Sequence, residues 1–443
     1  MPVDEARGLC TAALALLLLL LPPTASTVFA DDGLRAGAAS VSFQVPAGAP
    51  LAGYGAFARR LWFPDILGRY PHAFWFRPHQ GELAPVGARA LVLESGSVRV
   101  AWVAVDLIAV DHAFTQRVRQ RLASAGQPPA TLIVTASHTH SGPGAFMHFG
   151  VLNAVATDSE DAAVRDALVG SVAEAVQRAQ AGRVPARVGV GTSQAPGLTT
   201  GRLGYAVDPE VVVLKIVSER GAPLAGLWNF AIHGTMLGPR NLKISGDVMG
   251  VASRQLESTL GVPVLFINGA VGDVSPKYHG LTEQERVGGV LAAAVRQAWD
   301  GITVVEAGPL AVRREKVELD PPSLGLRNCL GRWLPSALRI PLGRLLPRET
   351  ELIAGVLGRA AWVTVPGELQ TSLGLTIKRS ATARGRRGLV AGLSNDYLGY
   401  FIAGTDAERV AYVACANIYG PGAAERITAA AVTLLGELGG SSR

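Results

Sequence analysis

The sequence has little cysteine, and its placement excludes two kinds of chemistry. Only three occur in 443 residues, Cys10, Cys329 and Cys415, and none stands in a Cys-x-x-Cys or Cys–His spacing. Thiol catalysis and a cysteine zinc site are therefore not expected. Charge is also sparse, at 17% of residues against 49% hydrophobic, which leaves ample material for a sizeable core. The formal net charge is +6, yet the basic residues form no stripe with interleaved aromatics, so nucleic acid is not an expected partner. The densest basic cluster, Lys378 to Arg387, suits a solvated face or an anionic membrane surface. Heptads, internal repeats and long low-complexity tracts are all missing. The 52 glycines and 27 prolines point instead to many loops.

The first thirty residues stand apart. Thr11 to Leu21 is almost purely apolar, Pro22-Pro23 ends it, and Val28-Phe29-Ala30 supplies small residues where a signal peptidase needs them. The run is short for a membrane span, and no other stretch looks transmembrane. We read residues 1–30 as an export signal and residues 31–443 as a single catalytic domain. Loss of the signal removes one base and two acids and takes the formal charge from +6 to +7. Export to the periplasm, cell envelope or medium would allow Cys329 and Cys415 to pair, although spacing alone does not show them close.

Along the remainder, apolar β-branched runs alternate with helical patterns. Strands are expected at Ala38–Val45, Arg89–Glu94, Val98–Asp106, Thr131–Val134, Val184–Gly191, Glu210–Ser218, Leu224–Ile232, Val262–Ile267, Ala311–Val317, Ala360–Val365 and Leu389–Leu393. Helices are expected at His112–Ala125, Ser159–Ala181, Gly246–Leu256, Glu349–Leu357, Ala407–Ala414 and Ala423–Leu438. Another should open at the capping-box sequence Thr282-Glu283-Gln284-Glu285 and run to about Trp299. The alternation predicts an α/β fold with mixed β-sheets flanked by helices. Residues 56–86 hold many aromatics between prolines, either packed on their own core or forming an apolar rim for a greasy substrate. Residues 318–348 show no clear period and read as an insertion.

Four strands run straight into polar, small-residue loops. Thr131–Val134 leads to Ser137-His138-Thr139-His140-Ser141-Gly142-Pro143-Gly144, and Leu224–Ile232 to His233-Gly234-Thr235. Val262–Ile267 leads to Asn268-Gly269-Ala270-Val271-Gly272-Asp273-Val274-Ser275-Pro276, and Ala360–Val365 to Pro366-Gly367-Glu368. In open α/β sheets, ligands bind in such loops beyond the carboxyl ends of strands. On extended chain, His138 and His140 at i and i+2 would point to one side. Two or three histidines with one carboxylate make the ligand type of catalytic zinc, with a position left for water. The sequence around Ser275 is not the Gly-x-Ser-x-Gly elbow of α/β-hydrolases.

These motifs resemble, in order, the signatures of the neutral (non-lysosomal) ceramidases. The likeness extends through Asn229-Phe230-Ala231-Ile232-His233-Gly234-Thr235, Ile244-Ser245-Gly246-Asp247, Val365-Pro366-Gly367-Glu368 and Leu393-Ser394-Asn395-Asp396-Tyr397-Leu398-Gly399-Tyr400. The resemblance implies one zinc ion held by His138, His233, Glu368 and Tyr400. It implies His140 beside the metal, Ser275 as the essential serine, Tyr412 as a second active-site tyrosine and Arg202 as the active-site arginine. It also carries three departures. The family's C-terminal immunoglobulin-like domain is expected to be absent, residues 318–348 have no counterpart, and Lys277 stands where asparagine is usual.

The function expected from the resemblance is an exported zinc amidohydrolase that cleaves the amide of an N-acyl lipid, with ceramide to sphingosine and fatty acid first. Either a metal-activated water or Ser275 would attack. The alternatives are a zinc esterase or amidase on another acylated envelope molecule, and a non-catalytic lipid-binding surface protein. A membrane surface is a further candidate partner.

Overall fold

In a computed structural model, the described residues are 33–438 apart from 129–130, 149–152, 304 and 344–345. The expected export signal at 1–30 lies outside them, as does part of the strand expected to begin at Thr303. Residues from Gly33 onward form one compact unit.

Eight strands make the larger sheet: β1 (Arg35–Ser42), β2 (Gly87–Ser95), β3 (Val98–Val105), β4 (Thr131–Ala136), β5 (Val184–Gln194), β7 (Glu210–Ser218), β8 (Pro223–Phe230) and β9 (Val264–Asn268). The short β6 (Thr199–Gly201) lies outside it. The order is β4-β3-β2-β1-β5-β7-β8-β9, with β3–β4 and β8–β9 parallel and the other neighbours antiparallel. The two four-stranded halves are joined only by Arg35 opposite Pro185 and Ala36 opposite Val184. That narrow join lets the halves fold toward one another. The far edges, β4 and β9, meet at their carboxyl ends, where Asn268 Nδ2 donates to the Ser137 carbonyl at 3.0 Å.

A second sheet has the order β11 (Leu310–Glu318), β14 (Glu349–Leu357), β15 (Ala360–Thr364) and β17 (Arg387–Ala391). Its inner face packs on the larger sheet through Ile353, Leu357, Trp362 and Leu389 against Leu91, Trp102, Ile133 and Ile267. Trp102 and Trp362 lie 5.3 Å apart across this interface. Helices cover both outer faces. His112–Ser124 and Ala162–Ala181 cover one half of the large sheet, and Asp247–Leu260 and Leu281–Gly301 the other. Thr371–Thr382 and Ala423–Glu437 cover the small sheet. The result is four layers, α/β/β/α, in which both sheets are buried on both faces. This explains why their strands read as continuous apolar runs. Among the described residues no helix is long and apolar enough to cross a membrane.

Three local readings are corrected. Glu349–Leu357, expected as helix from its Glu, Leu and Ala content, is the central strand β14. It pairs with β11 over nine residues and with β15 over four, and that pairing overrides a weak helical preference. Ala407–Ala414 is helical only over Tyr412–Cys415. Upstream, Asn328 Nδ2 takes the Ala407 and Arg409 carbonyls, so these do not accept helical bonds. The Thr282 capping box is not used: the helix begins at Leu281 behind Gly280, whose φ of 98° glycine tolerates. The helix Thr371–Thr382 was not anticipated. It holds Lys378, which is spent on Asp208 and Glu210, at 2.6 and 2.5 Å. The basic cluster beginning at Lys378 is therefore less free for a membrane than its sequence suggests.

Within the expected insertion, residues 323–341 form a small hairpin, β12 (Ser323–Gly325) with β13 (Arg339–Pro341), around the helical turn Leu326–Leu330. A disulfide joins Cys329 to Cys415 across 86 residues of sequence.

Candidate metal centre and its surroundings

The site lies where the chain leaves β4, β8, β9, β15 and β17. His138 has φ of 71°, a left-handed conformation uncommon for a residue with a side chain. The chain therefore turns at His138 rather than continuing extended, and the expectation that alternation would aim His138 and His140 together is corrected. The turn itself brings them together, with ring centroids 5.0 Å apart. Strain of this kind persists where surrounding structure over-determines it. Here the Ser137 and His138 amides donate to the Val105 and Leu107 carbonyls, both at 2.9 Å.

The loop after β4 then pairs with the loop after β8. The Gly234 amide donates to the His138 carbonyl and the His140 amide to the Gly234 carbonyl, at 3.2 and 2.8 Å. Gly234 is needed here, because a Cβ would fall 2.6 Å from the His138 carbonyl oxygen. Asn268, fully buried at the end of β9, clamps both loops. Its Nδ2 donates to the Ser137 and Ile232 carbonyls, and its Oδ1 accepts from the Ile232 amide. Sequence analysis quoted Asn268 within a motif but assigned it nothing. Its position directly at the strand end was the available signal.

Glu368 comes from the second sheet. The two-residue strand β16 (Glu368–Leu369) pairs in parallel with β18 (Tyr400–Phe401), setting Glu368 beside Tyr400. The carboxylate is 1% exposed, with Oε1 3.3 Å from His138 Nε2 and Oε2 3.0 Å from His233 Nε2. Tyr397 Oη donates to Oε1 at 2.8 Å. Tyr397 lies in a motif quoted from the sequence, where only Tyr400 received a role. The two tyrosines three residues apart could not be told apart by spacing.

His138 Nδ1 lies 2.6 Å from the Ile108 carbonyl oxygen, which can only accept, so Nδ1 carries the proton and Nε2 presents its lone pair inward. That lone pair faces an anionic oxygen at 3.3 Å, an arrangement that needs a cation or a shared proton between the two. The buried ring nitrogens of His233 and His140, His138 Nε2 and Glu368 Oε2 all lack a hydrogen-bond partner. Ligand atoms of His138, His140 and His233 lie within 4.8 Å of one another. Unpartnered, deeply buried nitrogens beside a carboxylate fit a divalent metal and are costly without one.

The electrostatics agree. Burial, with Arg202 next, pushes the His233 imidazole down to about 3. Burial and the neighbouring His138 and His233 hold His140 well below its ordinary value. Both are thus neutral at pH 7 and present lone pairs. Burial alone would push the Glu368 carboxyl up, but His138 and His233 outweigh it and hold it well below the usual carboxylate range. Burial, then the Glu368 charge, pushes the Tyr397 and Tyr400 phenols up.

On the other side stands Ser275. Strand β10 (Val274–Pro276) pairs with β6, placing Ser275 opposite Thr200 and close to Arg202. Arg202 Nε donates to Ser275 Oγ at 2.7 Å and Nη1 to Tyr400 Oη at 3.2 Å. The Tyr412 ring stands edge-on to Tyr400 at 5.7 Å and is 71% exposed, at the outer margin. All eight residues singled out from the sequence thus fall in this region: His138, His140, His233 and Glu368 in one cluster, Arg202, Ser275, Tyr400 and Tyr412 in an adjoining one. Sequence reasoning overlooked Tyr54 and Arg59. Tyr54 lies 4.8 Å from the His140 ring, and Arg59 Nη2 donates to the His140 carbonyl at 3.0 Å.

Fold and site together define an α/β protein of four layers with a buried histidine–carboxylate centre at the strand ends, suited to a divalent metal. Residues 80–288 match the family model of neutral/alkaline non-lysosomal ceramidases, N-terminal. The chain is a relative of that family. It is 28% identical over 212 residues to a neutral ceramidase of Pseudomonas aeruginosa, and 30% identical over 174 residues to one of Mycobacterium tuberculosis. Those stretches cover 43% and 33% of this chain but only 31% and 27% of the relatives. The crystal structure of neutral ceramidase from Pseudomonas aeruginosa superposes with a TM-score of 0.76 at 20% identity, covering 92% of this chain and 75% of that one. The shared fold extends past residue 288 and so takes in Glu368 and Tyr400, which the family model does not reach.

Proposed function

We propose that the chain is an exported, zinc-dependent amidohydrolase that cleaves the amide bond of N-acyl sphingolipids, ceramide first among them. The observation that carries the metal-dependent reading is the convergence of His138, His233 and Glu368, three buried groups with unpartnered ligand atoms, beside Tyr400. These four would hold the ion, with His140 next to it. Bound there, zinc would supply Lewis-acid polarisation of a carbonyl and acidification of water. The relatives' names supply the substrate class.

The chain's own residues supply the rest. Arg202, a fixed cation, orients Ser275 Oγ and lowers the cost of negative charge on it. Its second nitrogen, with the Tyr400 phenol, offers donors to an oxyanion developing nearby. Neutral His140 has both ring nitrogens without a partner, so it can accept a proton and return it to the leaving amine. Tyr397 fixes the Glu368 carboxylate from behind, as partners of metal ligands commonly do.

Export is supported by the apolar leader in the sequence and by the Cys329–Cys415 disulfide, which persists in oxidising compartments. The test is metal analysis of purified protein with release of fatty acid from a fluorescent ceramide, before and after chelation. One zinc per chain and chelator-sensitive release are expected. Zinc without ceramide turnover would remove the substrate assignment. Absence of both would remove the function.

A further inference from the structure

Two exposed apolar segments border the site, and both are basic. The first is the loop around residues 57–70. Trp62, Phe63 and Ile66 are 82%, 83% and 81% exposed, and Phe57, Leu67 and Tyr70 are also exposed. Single exposed apolar side chains are ordinary, but six large ones within fourteen residues are not. The loop is tied to the site at its root, where Tyr54 lies on His140 and Arg59 bonds the His140 carbonyl. The second is the disulfide-stapled hairpin, with exposed Leu330, Trp333, Leu338 and Ile340. Cys329 anchors it to Cys415, on the helical turn that Tyr412 opens.

Their charge shows what they meet. Residues 57–80 hold four arginines and one acid, and residues 321–348 hold five arginines and no acid. Exposed aromatics interleaved with arginine match a bilayer interface, where rings sit among headgroups and guanidinium groups meet lipid phosphate. The Lys378–Arg387 cluster, by contrast, has no large exposed apolar residue among the described residues. We propose that the 57–70 loop and the 323–341 hairpin dock the chain on an anionic phospholipid bilayer, so that the site faces the membrane and takes its acyl lipid from it. The proposal rests on the reading of the site as one for N-acyl lipids. It adds the surface on which the lipid is met.

The test is co-sedimentation of the full chain with phosphatidylcholine vesicles, with and without phosphatidylglycerol, together with turnover of vesicle-embedded long-chain ceramide and of a water-soluble short-chain N-acyl substrate. The variants are Trp62→Ala with Phe63→Ala, and Trp333→Ala with Leu338→Ala. All four residues are exposed, so unchanged thermal melting is expected. The wild-type chain should bind phosphatidylglycerol vesicles and be released by salt. Each double variant should bind roughly tenfold more weakly or worse, and lose turnover of embedded ceramide while keeping that of the soluble substrate. Wild-type protein that ignores vesicles, or variants that bind as tightly as wild type, would overturn the proposal. So would a concentration-dependent dimer that the Trp62 and Phe63 changes dissolve while vesicles go unbound. Vesicle binding with no turnover of either substrate would support docking and remove the catalytic reading alone.

Discussion

Replacing Glu368 with glutamine separates a metal centre from a merely buried ion cluster. The carboxylate is 1% exposed and sits within 3.3 Å of both His138 and His233. Glutamine keeps the shape, removes the charge and leaves one oxygen where there were two. Without metal, the loss should be small. His233 is pushed down to about 3 and is neutral at pH 7, so removing the carboxylate leaves no opposing charge stranded on it. A desolvated anion is removed at the same time, and stability should stay within about 1 kcal/mol of wild type. With metal, the only carboxylate among the proposed ligands is lost. Even partners outside the ligand set change affinity by about 10–100-fold, so a direct ligand should cost at least about a hundredfold, close to 2.7 kcal/mol. The assay is thermal unfolding of chelated protein titrated with zinc. The wild-type midpoint should climb with zinc, and that of Glu368→Gln should climb only at about a hundredfold higher concentration. Equal zinc dependence in the two proteins, or none in wild type, would refute the reasoning.

Ser275→Ala should lower turnover at least about a hundredfold with little change in KM, and Arg202→Lys should act in the same direction because one ammonium cannot serve both Ser275 and Tyr400; steady-state kinetics on ceramide decide this, and near-wild-type turnover in Ser275→Ala would exclude a chemical role. Burial pushes the Asp247 carboxyl from 3.8 up to about 6. The folded state therefore holds this proton more tightly than the unfolded chain, and stability falls as pH rises through that window, by about 3 kcal/mol for this group. Asparagine tolerates the φ of 52° at this position, so Asp247→Asn should flatten that part of the stability profile in urea melts, and an unchanged slope would count against it. Replacing Cys329 and Cys415 with serine opens a crosslink spanning 86 residues, for which chain entropy gives about 4–5 kcal/mol, and should make melting insensitive to reductant; wild-type melting already indifferent to reductant would show that the bond adds nothing.

Much of the fold and most of the site could be read along the chain, for a physical reason. Strands buried on both faces must be continuously apolar, so Thr131–Val134, Leu224–Phe230, Val264–Ile267 and Ala360–Thr364 were visible as runs, and the polar residues that ended them stood out. What failed was local preference against distant pairing. Glu349–Leu357 has helix-forming residues, yet two neighbouring strands take its backbone. Ala407–Ala411 looks helical, yet Asn328, about eighty residues away, takes its carbonyls.

The sequence by itself determined the chemistry available: two histidines after one strand, a third after another, a glutamate after Pro-Gly, a serine before proline, and two cysteines outside the leader. Each is a choice of side chain at a strand end, and local pattern suffices to place it there. Only the tertiary structure decided that they meet. The larger sheet is joined at two residue pairs, so its halves fold together and bring the ends of β4 and β9 into contact through Asn268. The second sheet then delivers Glu368 from the opposite layer, and Tyr397 rather than Tyr400 takes the close hydrogen bond to it. The left-handed turn at His138 and the Cys329–Cys415 bond are settled the same way. Both depend on groups far away in sequence, whose approach no local pattern records.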